Sequence, residues 1–152
     1  MKKILVLLLV FMTVFTSCSN HVKILVKNIS MGGTGDNYVV SPAKVEVNLN
    51  KQVSIPITIT NKNDRLGTFE LKIISPEQLT SGYESYPVNG LWVTMNEDVI
   101  DIPANSSKVV NLYIGKVQSI SDTQLWVSIH IQTNQQITSA YMVNVLIKGD
   151  KK

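Results

Sequence analysis

A single cysteine, Cys18, stands in the 152 residues, so no internal disulfide can form. Alanine is nearly missing: Ala43, Ala104 and Ala140 are the whole supply, which argues against long helices. Charged residues make up 16%, below the roughly 25% usual for soluble domains. Five Pro and eight Gly exclude a collagen-like or low-complexity chain. His21 and His130 are the only imidazoles, and with no second thiol beside them a zinc site is not expected. The apolar stretch Ile4 to Phe15 is twelve residues, short of the about 20 that a spanning helix needs.

What is present begins with a targeting pattern. Lys2 and Lys3 precede that apolar stretch, and Thr16 and Ser17 lead into Cys18, the order of a secretory signal with its small-residue cleavage site. Removing residues 1–17 leaves twelve basic residues against eleven acidic ones, a mature net charge of about +1. The lysines are dispersed, with no cluster beyond Lys151 and Lys152, so nucleic acid is not an expected partner.

Beyond Cys18 the chain alternates between apolar-patterned runs and turn clusters, with Val, Ile and Thr abundant. Val22 to Ile29 reads as a strand or a stalk, and Ser30 to Asn37 as a flexible connection; its glycines lack the Lys-Ser or Lys-Thr of a phosphate loop. Period two is strong from Tyr38 onward. Val45, Val47 and Leu49 alternate with Lys44, Glu46 and Asn48; Val53, Ile55, Ile57 and Ile59 alternate with Ser54, Pro56, Thr58 and Thr60. Pro56 cannot donate to a ladder, so its amide position must face away from a neighbouring strand or sit at a bulge.

Phe69, Leu71 and Ile73 mark a third inward set, and Ser75 to Gly90, with three turn signals, reads as a long crossing connection. Leu91–Met95 and Val99–Ile102 are short extended pieces, separated from the next strand by a turn at Pro103 to Ser106. Val110, Leu112 and Ile114 point inward there, and a turn spans Gly115 to Asp122. Leu125, Val127, Ile129 and Ile131, then Tyr141, Val143, Val145 and Ile147, complete the inward positions. Six to eight strands with no helical pattern predict an all-β fold, an antiparallel β-sandwich with Greek-key connections, preceded by a signal-peptide segment.

Two resemblances add to this reading. Phe15-Thr16-Ser17-Cys18 resembles a bacterial lipobox, with Phe15 where Leu, Val or Ile is usual; the resemblance implies a mature chain that starts at Cys18 and carries a lipid there. The region from Tyr38 to Gly149 resembles the immunoglobulin-like modules of bacterial and archaeal envelope proteins, of the glycosidase-associated or ASPM-SPD-Hydin type. It does so through Val40-Ser41-Pro42, Ile55 to Asn61, Trp92-Val93 and Ile102 to Val109. That resemblance implies an immunoglobulin-like sandwich used for adhesion, spacing or ligand presentation. The strand cysteines of antibody domains are absent.

Sites of chemistry are few. Asn96-Glu97-Asp98 with Asp101 is the densest acidic group; it lacks the spacing and the Gly of a calcium loop, and calcium or a solvated turn both remain readings of it. Glu77, Glu84 and Glu97 offer carboxylates, but a small sandwich leaves little concave surface for a glycosidase pair. No G-x-S-x-G elbow occurs, so neither an enzyme nor a cofactor is expected. Tyr83, Tyr86, Trp92 and Trp126 are the ligand-contact candidates, as rings that stack on a glycan or anchor a protein, against the alternative that they close the core.

The expected organisation is a signal peptide at 1–17, an anchor stalk or linker at 18–37 that includes at most one strand, a sandwich at 38–149 and a tail at 150–152. The expected function is a lipid-anchored, extracytoplasmic, non-enzymatic interaction or structural module of a bacterial envelope. Its partners are the membrane, through Cys18, and an envelope protein or a glycan. The alternative is a carbohydrate-binding accessory protein. A pilus-type chaperone would need a second domain and an exposed strand edge.

Overall fold

The computed structural model describes residues 37–49, 52–132 and 137–150. Cys18, His21 and the run Val22 to Ile29 lie outside the described residues. Two sheets face each other. The first has four strands in the order β1 (Tyr38–Ser41), β3 (Val53–Asn61), β8 (Ser106–Lys116) and β6 (Leu91–Met95). The second runs β2 (Lys44–Asn48), β10 (Ile137–Lys148), β9 (Thr123–Gln132), β4 (Gly67–Ile74) and β7 (Val99–Ile102), with the two-residue β5 (Glu84–Ser85) also paired to β9.

The alternation of the sequence becomes the two faces of each sheet. Ile55, Ile57 and Ile59 of one sheet and Leu125, Val127 and Ile129 of the other are fully buried between them. Tyr38 of β1 meets Phe69 of β4 edge to face, with ring centroids 5.3 Å apart and planes at 87°, so even the short first strand reaches across the sandwich. Burying such side chains removes apolar surface from water at about 25 cal/mol per Å², the main term holding the sheets together.

The expected sandwich is there, with differences in detail. Among the described residues ten strands stand in place of the six to eight expected, the short β1 and the two-residue β5 being among the additions, and the chain exchanges sheets at two close corners. Around the cis bond Ser41-Pro42 it leaves β1 in one sheet and enters β2 in the other; at Asn96 to Asp98 it passes from β6 to β7. Pairing is mostly antiparallel, but β2 runs parallel to β10 and β5 parallel to β9. The turn expected to start at Gly115 starts later: Gly115 lies within β8, opposite Trp92.

Pro56 shows how the backbone accommodates an imino acid in a central strand. It stands opposite Asn111, whose N–H and C=O are used on the other side by Asn96. Pro56 therefore lacks a ladder bond to β8, and its nitrogen faces the side where β1 has already ended at Ser41, opposite Thr58.

Asn61 joins the sheets at one end of the core. Its fully buried amide donates to the carbonyls of Arg65 (2.8 Å), Ile102 (3.0 Å) and Pro103 (3.2 Å), and its oxygen accepts from the Asn63 N–H at 3.0 Å. This places the Asn-ended strand motif of the sequence at a junction of three segments.

Candidate functional site

The four aromatic candidates separate. Tyr83 and Tyr86 lie on the crossing connection, which folds along the start of β9: Glu84 N–H donates to Asp122 O (2.8 Å), Tyr86 N–H to Gln124 O (3.0 Å), and Thr80 N–H to Gln124 Oε1 (2.7 Å). Tyr86 packs against the core. Tyr83 carries the ammonium of Lys148 over its ring, 4.5 Å from the centroid. Trp126 is half-buried on the outer side of the second sheet, between Ile74 and Asn144. Trp92 belongs to the first sheet and is the most open of the four, at 38% exposure.

The acidic group forms the corner where β6 passes into β7, and its members are engaged separately. Glu97 pairs with Lys108 at 2.5 Å, Asp101 accepts from Thr68 Oγ1 at 2.6 Å, and the Asp98 carbonyl accepts from Leu71 N–H at 2.7 Å. His130 stands half-buried on the outer side of β9, opposite Glu70, with Nε2 2.7 Å from Ser128 Oγ and Nδ1 buried without a hydrogen-bond partner.

Charge gathers on the second sheet and at one end of the sandwich. Glu70 and Lys72 pair at 2.8 Å on its outer side. At the end, Lys148 reaches Asp122 at 2.7 Å and Lys116 reaches Asp150 at 2.7 Å. The Lys148 hydrogen bond holds the Asp122 carboxyl below the usual range, and Lys116 does the same to Asp150; Lys148 is pushed up in turn by Asp122 and Tyr83.

The first sheet is the opposite. Its outward positions are Ser54, Pro56, Thr58 and Thr60 on β3 and Ser107, Val109, Asn111, Tyr113 and Gly115 on β8, flanked by Val39 and Ser41 on β1 and Trp92 and Thr94 on β6. None of these carries a charge. Gly115 matters for its missing side chain: a Cβ there would lie 2.3 Å from Trp92 Cζ2 and 2.4 Å from Cε2, so the indole lies across the place it would take.

Sequence reasoning missed this face because it is assembled from four strands distant in the chain. Tyr113 and Gly115 were legible only as an alternation position and a turn residue. The signal that could have found the face is the run of uncharged residues at the polar positions of the β3 and β8 segments.

β6 closes the first sheet as an edge strand. Asn96 and Asn111 bond to each other across the β6–β8 pair, so by alternation Trp92 and Thr94 also face β8. The amides of Val93 and Met95 point along the outer edge.

No family profile matches the chain, and no curated protein matches it. Among solved structures it is similar to the PapD-like domain 7 of human CEP192, with TM-score 0.60 and 4% identity over 83% of this chain and 99% of that one. It is also similar to the YadV chaperone, with TM-score 0.57 and 12% identity over 76% of this chain and 53% of that one. The periplasmic chaperone SfaE gives TM-score 0.53 and 12% identity over 73% and 57%. The chain thus spans a little over half the length of these chaperones. The likeness shows the fold alone: an immunoglobulin-like β-sandwich.

Proposed function

We propose that this chain is a lipid-anchored, extracytoplasmic docking module of a bacterial envelope, non-enzymatic, that receives an extended segment of a partner protein along β6. In this reading residues 1–17 are a removed signal peptide, Cys18 carries the lipid, 18–37 form the stalk, 38–149 the docking sandwich and 150–152 its tail. The narrower kinship with ASPM-SPD-Hydin or glycosidase-associated modules belongs to the same proposal.

The observation that carries docking is the character of β6. Edge strands are ordinarily blunted by charge, proline or a bulge. β2 has Lys44 and Glu46, β7 has Asp101, and β1 is followed at once by Pro42. β6 reads Leu-Trp-Val-Thr-Met, in unbroken register with β8 from Leu91–Lys116 to Met95–Leu112. Strand addition supplies affinity through the main chain and specificity through alternate side chains. Fold likeness to SfaE, named as a periplasmic chaperone, and to a chain described in a chaperone–tip adhesin complex supports a protein-docking role outside the cytoplasm.

The test of the anchor is intact mass spectrometry of the full preprotein expressed in a bacterial host, beside Cys18→Ser. The expected product begins at Cys18 with a diacylglycerol-sized increment that the variant lacks. A free thiol or a cut elsewhere overturns the anchor. Docking is tested by a photo-crosslinking residue at the exposed Thr94 in native cells: a discrete adduct, lost when Val93→Pro removes the outward N–H, is expected, and an adduct that survives the proline overturns strand addition.

A further inference from the structure

Solvent-facing sheet surfaces usually carry charged side chains, and among the described residues the ion pairs lie on the second sheet, at the corners and at one end, with Lys62 just beyond the end of β3. The outer face of the first sheet has hydroxyl and amide groups instead, around one exposed ring. Trp92 lies over Gly115, and Tyr113 is the next outward residue of β8. Diagonal neighbours on a sheet stand about 7–8 Å apart, within reach of aromatic side chains. Tyr113 in turn lies directly between Thr94 on β6 and Ser54 on β3, with Asn111 the next outward position along β8. Two rings at the centre of a hydroxyl and amide surround make a platform that is apolar at its middle and hydrogen-bonding at its rim.

The chemistry of the occupant follows from what that platform holds. A phosphate, a nucleic acid, an acidic glycan or an anionic lipid surface requires cations, and the face has none. A protein docked face-on would strip water from the serine, threonine and asparagine groups while burying, beside the two rings, only Val109, Pro56 and Val39 as apolar side chains. A neutral sugar chain matches both parts: its C–H faces cover the rings, its hydroxyls exchange hydrogen bonds with the rim, and its lack of charge complements a face with none.

We infer that the outer face of the four-stranded sheet, centred on Trp92 and Tyr113, binds a neutral polysaccharide. This surface is distinct from the outer edge of β6, so the inference stands apart from strand docking.

The test is affinity electrophoresis of the full chain in native gels containing hydroxyethylcellulose, glucomannan or dextran, with polygalacturonate as the charged comparison. Retardation is expected in at least one neutral gel, absent in polygalacturonate and insensitive to added salt. Trp92→Ala and Tyr113→Ala should each weaken it about fivefold or more. Ser54→Lys, at an exposed position beside Tyr113, should abolish it with an unchanged melting temperature, while Trp92→Phe and Trp126→Phe keep most of it. The two conservative variants and Ser54→Lys decide the matter if an alanine variant fails to fold. No retardation in any neutral gel, or retardation that survives Ser54→Lys, overturns the inference. So does a dimer in sedimentation that Ser54→Lys dissociates while neutral gels leave the chain unretarded.

Discussion

At the scale of single residues, Asn61 and Gly115 show two ways in which one position determines its surroundings. Asn61 satisfies three carbonyls from segments far apart in the chain while its own oxygen is taken by Asn63. Asn61→Ala leaves those carbonyls without their donor at a buried site, and a loss of about 1–3 kcal/mol in chemical denaturation is expected. Gly115 acts through emptiness. Gly115→Ala places a methyl where the indole lies and lifts Trp92 from the sheet. The expected signature is red-shifted tryptophan emission with a stability loss of about 1 kcal/mol, as overfilled sites show.

At the scale of elements, the alternation of apolar residues places the longer strands, because each has one buried face and a slip of one residue would turn it outward, whereas the short β1 and β5 carry too few residues to show it. Val53 to Ile59 and Leu125 to Ile131 point inward as their period demands. Sheet membership was not legible in that period. A strand such as β6 or β7 looks the same whichever sheet receives it, and the exchange of sheets at Ser41 and at Asn96 to Asp98 depends on packing between distant segments. Of the candidate rings, Trp92 was legible as an aromatic in a short strand, but its setting depends on Gly115 and Tyr113 across the ladder. The element most open to test is β6. Proline at Val93 removes an N–H that points away from β8, so Val93→Pro should lower the melting temperature by only a few degrees while preventing strand addition. A collapse of the fold would instead mean that the Val93 amide serves the ladder to β8.

At the scale of the whole molecule, one end is fastened by charge. Asp150 accepts from Ile120 N–H at 2.9 Å and from Lys116, while Asp122 accepts from Gly149 N–H at 2.9 Å and from Lys148. Gly149 permits this closeness, since a Cβ there would meet the Ile120 carbonyl at 2.2 Å. Both carboxyls titrate below their usual range in the folded chain. Their contribution is therefore fully present above the unfolded value of about 3.9 and is lost as pH falls through the folded values. Melting temperature measured against pH should drop below about pH 4, and Asp122→Asn with Asp150→Asn should flatten that acid limb. The same region holds the parallel pair of β2 and β10, aligned from Lys44 beside Asn144 to Asn48 beside Lys148. Tension that draws β2 from its amino end and β10 from its carboxyl end runs along both strands in opposite senses. All five pairs then bear the load in shear at once instead of peeling in turn, so this seam resists such a pull more than an antiparallel edge opened pair by pair would.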